Sequence, residues 1–284
     1  MSARTEIERR LRSNDYKKLS KELFNKAFTD LLESEYIDIL KIADIYGAKY
    51  KRFYKLKTGI DVRTFTSNLT NKAYAPCFNS HSNLSIINIV KTDDSFTIYT
   101  EFYTNENIWK EEPYENSTHK VMKVESFRRI MVIQKEATSN YVILSIDPMG
   151  LGSNVYKKID NNIRDLNNEL HLDFNSFFDT MEVDKAMFKL IDDGVLVPQG
   201  VSAIDESTKR VKSVQSKASR DNIKDEEVYK SCITSDLKHE NIKMKLGNET
   251  IELFEKTLIK ISTSANKDKT DELTTKTIPV LQRQ

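Results

Sequence analysis

The chain is poor in the residues that punctuate or staple a fold. Two cysteines in 284 residues cannot build a disulfide framework or a four-cysteine zinc site. Seven glycines and five prolines exclude collagen-like and low-complexity chains. No run of about 18 apolar residues occurs, so no segment reads as a membrane span. The first residues, MSARTEIERRLRSNDYKK, lack the apolar stretch that a secretory signal needs. Charge of one sign is lacking as well: 44 Lys and Arg face 43 Asp and Glu, for a formal net charge of +1. These absences predict an intracellular, cytoplasmic chain with no membrane partner. At about 150 residues per domain the length suits one large domain or two smaller ones.

The charge that is present is uneven. Residues 1–72 hold 16 Lys and Arg against 10 Asp and Glu. Between Ala48 and Lys72 there are seven basic residues and one acid, Asp61. Ser207–Arg220 carries five basic residues and no acid, whereas Asn105–Glu115 carries four Glu and one Lys. A local basic excess can recruit a polyanion even when the total charge is neutral, although each stretch also suits a plain solvated face.

Hydrophobic period divides the chain. Apolar residues at 19, 23, 24, 27, 28, 31 and 32 lie on one face of a helix over 17–32. A second helix is predicted from Tyr36 to Tyr46, stopped by Gly47, and then a short basic helix to about Lys57. After residue 83 the period becomes two. Leu84–Val90, Phe96–Tyr103, Phe127–Gln134 and Tyr141–Ile146 read as an antiparallel meander. Helices are expected from Ser153 to about His171 and over Asn175–Ile191, with Gly194 closing the second. Val195–Ala203 reads as a strand and Ser207–Lys224 as a loop. A hairpin turning at Gly247-Asn248 joins 241–246 to 252–262. The expected fold is α+β: an N-terminal helical unit (1–75), an antiparallel sheet packed on helices (76–263) and a tail (264–284).

One stretch carries a functional expectation. Residues 39–56 resemble a helix-turn-helix, a motif that needs a small residue in its first helix and glycine at the turn. Ala43 and Gly47 fill those places, and Ile42, Tyr46, Ala48, Phe53 and Leu56 fill the apolar ones. On that frame Tyr50, Lys51, Tyr54 and Lys55 face outward, Arg52 lies at the edge, and Lys49, Lys57, Arg63 and Lys72 extend the footprint. Lys and Arg neutralise phosphates, and tyrosines bond to phosphate or stack on bases. The resemblance implies a non-enzymatic nucleic-acid-binding protein, DNA being the expected nucleic acid. Its site is Lys49, Tyr50, Lys51, Arg52, Tyr54, Lys55, Lys57 and Arg63. The same spacing also describes an ordinary helical hairpin. Two alternatives stay open: a structural, assembly or protein-interaction protein that self-associates without binding nucleic acid, and an enzyme whose site is too dispersed to read.

Catalytic and cofactor signals are sparse. Gly150-Leu151-Gly152 sits where phosphate loops occur, but G-x-G-x-x-G and G-x-x-x-x-G-K-[ST] are absent. Cys77 and His81, with Cys232, His239 and His119, lack the paired short spacing of a zinc site. There is no G-x-S-x-G or H-E-x-x-H. Asp147, at a strand end before Pro148, is the most site-like acid. Tyr99 and Tyr103 could form a stacking platform, with packing as the ordinary role for such residues. No catalytic residue, metal or cofactor is expected.

Overall fold

The computed structural model describes residues 49–77, 84–114, 117–147, 155–205, 207–216, 222–234, 238–261 and Leu273. Among these, eleven strands outnumber five helices. The expected α+β class is therefore overturned: the described chain is mainly antiparallel sheet. The helices predicted over 17–32 and 36–46, with Ala43 and Gly47, lie outside the described residues. The third element of that unit is inside them, and it is not a helix. Lys49–Leu56 is a strand, β1. Its apolar residues at 50, 53 and 54 fit helical spacing, but the same residues fit a strand buried on both faces. Pairing decides between the two. Tyr54, Lys55 and Leu56 form an antiparallel ladder with Thr180, Asp179 and Phe178.

The chain forms two compact units. Of the described residues, one unit holds Arg52–Met181 and the other joins Lys49–Lys51 with those from Glu182 onward.

In the Arg52–Met181 unit, a short helix α1 (Val62–Ser67) begins at Asp61, whose carboxylate accepts from the Arg63 backbone N–H. Strands β2 (Ser85–Lys91), β3 (Phe96–Tyr114), β4 (Ser117–Lys135) and β5 (Tyr141–Ile146) follow in an antiparallel meander. Helix α2 (Val155–Leu170) buries Ile159, Asn162, Ile163 and Leu166, the one-faced stripe of an amphipathic helix. The helix expected over 175–191 is split. Asp173 caps a four-residue turn, α3 (Phe174–Phe177), after which the chain extends as β6 (Phe178–Thr180) to pair with β1. The aromatic run causes the break. Phe174 and Phe178 are both buried, and Phe65 of α1 meets them with ring centroids 6.1 and 5.1 Å away. Phe65 also meets Phe96 at 4.9 Å and Phe177 at 5.3 Å. Such pairs add about 0.5–1.5 kcal/mol each beyond the area they bury.

In the other unit, α4 (Asp184–Asp192) buries Ala186, Met187, Leu190 and Ile191. The backbone N–H of Gly194, at φ 73°, bonds back to Ile191 O. Strands β7 (Val197–Asp205), β8 (Arg210–Gln215), β9 (Lys238–Leu246), β10 (Glu249–Phe254) and β11 (Leu258–Ile261) run in the order β11-β10-β9-β7-β8. Helix α5 (Glu227–Ile233) buries Tyr229 and Cys232. The single strand expected over 252–262 is divided between β10 and β11, which pair with each other, but the turn expected at Gly247-Asn248 is that of the β9–β10 hairpin, with Leu246 opposite Glu249. Its two-residue loop needs a positive φ at the first position, which Gly247 supplies at 60°. The loop expected over 207–224 contains β8. Asp205 nucleates that turn by accepting from the Ser207 hydroxyl and from the Ser207 and Thr208 backbone N–H groups. Among the described residues, no helix is long and apolar enough to cross a membrane.

Phe65 is fully buried at the meeting point of four rings. Phe65→Ala is expected to lower unfolding free energy by about 3–5 kcal/mol. Denaturant titration of the variant beside the wild type measures this.

Candidate functional site: an exposed two-stranded arm

The structure does not assemble the residues expected to bind nucleic acid into a surface. Lys49, Tyr50, Lys51, Arg52 and Tyr54 are buried on β1. Lys57 is half-buried, and Lys55 and Arg63 are exposed. Acids hold several of these cations. Arg52 Nη1 donates to Asp160 Oδ1 at 2.6 Å, and its guanidinium lies over the Tyr156 ring at 5.6 Å. Lys57 pairs with Asp179 at 3.5 Å and Arg63 with Asp94 at 3.3 Å. The helix-turn-helix reading is thereby corrected: no basic helix is presented here, because these side chains alternate across a strand inside the protein. Tyr50, Arg52 and Tyr54 share one face of β1, and Lys49, Lys51 and Phe53 share the other.

The remaining sequence candidates are dispersed. Lys209, Arg210 and Lys212 belong to the β7–β8 hairpin, where Lys212 pairs with Asp205 at 3.7 Å. Lys217, Arg220, His81 and the Gly150–Ser153 turn lie outside the described residues. Cys77 is exposed and Cys232 buried. Among the described residues no three His, Cys, Asp or Glu side chains form a metal-binding group. Asp147 serves the sheet: its Oδ2 accepts from the Ile130 backbone N–H at 2.7 Å, and its own N–H donates to Ile130 O at 2.9 Å. Tyr99 packs against Ile87, Ile130 and Val132.

The feature that sequence patterning missed is the length of β3 and β4. Each has 19 residues, paired from Phe96↔Lys135 to Tyr114↔Ser117 without a register shift. The flanking ladders are much shorter. β2 pairs with β3 only as far as Glu101, and β5 pairs with β4 only from Met131 onward. The rungs from Phe102↔Arg129 to the tip thus have no strand beside them among the described residues. They form a two-stranded arm about 40 Å long at the usual strand rise.

The arm has two unlike faces. In the antiparallel ladder, Ile130 sends both its N–H and its C=O outward to Asp147, so Glu101↔Ile130 is a non-hydrogen-bonded rung. Counting outward in steps of two, Asn107↔Val124, Trp109↔Met122 and Glu111↔Lys120 share that face and that class of rung. In such rungs the opposed side chains stand closest. Trp109 is 68% exposed, Val124 67% and Met122 55%, so three large apolar side chains face solvent side by side. The opposite face is charged. Glu106 and Glu125, direct neighbours across the ladder, would repel each other, but diagonal cations hold both. Arg129 pairs with Glu106, Lys110 with Glu125, and Lys123 with Glu112. At the base of the apolar face, Glu101 is fully buried and accepts from Arg128 Nε and the Cys77 backbone N–H, both at 2.8 Å. That anchor fixes where the arm leaves the sheet.

No protein-family model matches the sequence, and no curated protein matches it.

The charged face and the buried thiol each give a test. At about 1 M salt the screening length shrinks to about 3 Å. Raising salt to that level is expected to hasten amide exchange over 104–126 and to leave the Phe96–Glu101 ladder unchanged, as hydrogen exchange would report. Burial pushes the Cys232 thiol up to about 11, which leaves about one thiolate in a thousand at pH 8. A thiol-reactive disulfide reagent at pH 8 is expected to titrate Cys77 alone in the native protein, and both cysteines after denaturation.

Proposed function

We propose that this chain is a structural or assembly protein whose working element is the β3–β4 arm. One observation carries the reading: an arm with ion pairs along one face and Trp109, Met122 and Val124 exposed on the other. Water penalises a contiguous apolar patch, and such patches mark surfaces covered by another protein. Tryptophan and methionine are also the residue types enriched at the centres of protein interfaces. Charge argues for a protein partner over a polyanion. Between Phe102 and Arg129 there are five Lys and Arg and five Glu, so the arm offers no net attraction to phosphate.

The test is made in cells that express the chain. A photo-crosslinking phenylalanine analogue is placed at Val124, on the apolar face, and separately at Lys123, on the charged face. The expected result is a discrete protein adduct from position 124 and little from 123. Equal labelling at both positions overturns the reading. So does a gel shift of DNA or RNA by the purified chain at low salt that Lys110→Glu, on the arm, abolishes.

A further inference from the structure

We infer that the arm's apolar face docks on the same face of a second copy of this chain, about a two-fold axis running along the arm. The inference rests on the assembly reading above and names its partner. Charge and shape complementarity on three alternate rungs carries it.

A rotation about an axis parallel to the strands lays β3 of one copy over β4 of the other, rung against like-numbered rung. Trp109 then meets Met122 of the second copy, and Met122 meets its Trp109. A thioether against an indole is a favourable pairing. Two rungs toward the tip, exposed Glu111 and Lys120 stand opposite each other within the arm. The same rotation places Glu111 over Lys120 of the second copy, twice. Two rungs toward the base, Asn107 comes over Val124, so no charge is buried beneath the patch. A rung carrying one acid and one base is the mirror of itself under this axis, and an isologous contact requires that property of every rung it uses.

Competing geometries lack this match. A rotation about an axis across the strands, centred on Trp109, sets Glu111 over Asn107 and leaves Lys120 beside Val124. The face-to-face footprint is about 400 Å² per copy, taking the arm's length and the width of two strands. A stable dimer usually needs about 800 Å², so the association is expected to be weak and to depend on concentration.

Trp109 is the chain's single tryptophan, so its emission reports the contact directly. Wild-type protein is diluted from about 500 to about 1 μM and followed by emission wavelength and by sedimentation velocity. The expected result is a shift to shorter wavelength as concentration rises, in step with a monomer-to-dimer change. Val124→Ser, at an exposed position, should remove both effects while the thermal midpoint holds. Glu111→Lys and Lys120→Glu should each weaken association about ten-fold, and the double exchange should restore it.

Monomer at every concentration with tryptophan in water overturns the inference. The assembly reading survives that result if Val124 still crosslinks to another protein in cells, and fails with it if no adduct forms. Dimers unaffected by Val124→Ser, or single charge exchanges that the double exchange does not rescue, also overturn it. So does a short-wavelength emission that dilution leaves unchanged, since the face is then covered without a second copy.

Discussion

The unbroken register between β3 and β4 is the constraint on which the rest depends. Because side chains alternate with a period of two, a single bulge in either strand between Phe102 and the tip would turn that strand's side chains beyond it to the opposite face. Trp109, for a bulge in β3, or Met122, for one in β4, would then stand among the acids, and Lys110 and Glu125 would no longer share a face. The ladder keeps one register over all 19 residues of each strand. Its inner third is locked by the sheet on both sides, and its outer two thirds inherit the same phase. The Glu101–Arg128 contact sits at the junction, where the last flanked rung gives way to the first unflanked one.

This dependence explains why the inner part of the fold was legible in the sequence and the arm was not. The four strands of the meander are legible because they are rich in β-branched and apolar residues that pack on both faces, Ile98, Met131 and Leu144 on one and Ile87, Ile130 and Val132 on the other. Beyond Tyr103 no core selects the side chains, and the alternation of apolar and polar residues fades into charge. Between the predicted strands, residues 104–126 carry no predicted element, and only the acidic stretch Asn105–Glu115 within them stands out. Its length was the available signal: long structureless connections are uncommon inside a domain. A hairpin continuing the register of Phe96–Tyr103 against Phe127–Gln134 reaches Tyr114↔Ser117, the outermost described rung.

The failure at β1 has a different origin. Tyr50, Phe53 and Tyr54 satisfy helical spacing and strand spacing together, and eight residues are too few for either period to exclude the other. The lysines between them looked solvent-facing because charge normally stays in water. A strand with partners on both faces overrides that expectation. Arg52 shows how: Asp160 and the rings of Tyr54 and Tyr156 replace the water it gives up. The split of the helix expected over 175–191 follows the same logic, since Phe178 gains more from the aromatic core and from pairing with β1 than from another helical turn.

Pro113 lies one rung short of the tip, opposite Thr118. On a rung of its class the backbone N–H would point sideways out of the ladder, so proline costs no internal bond there and deletes one outward donor. Edge-to-edge zippering of such ribbons has no natural end and leads to fibres. The imino acid near the tip thus works against strand-to-strand growth along that edge of the arm.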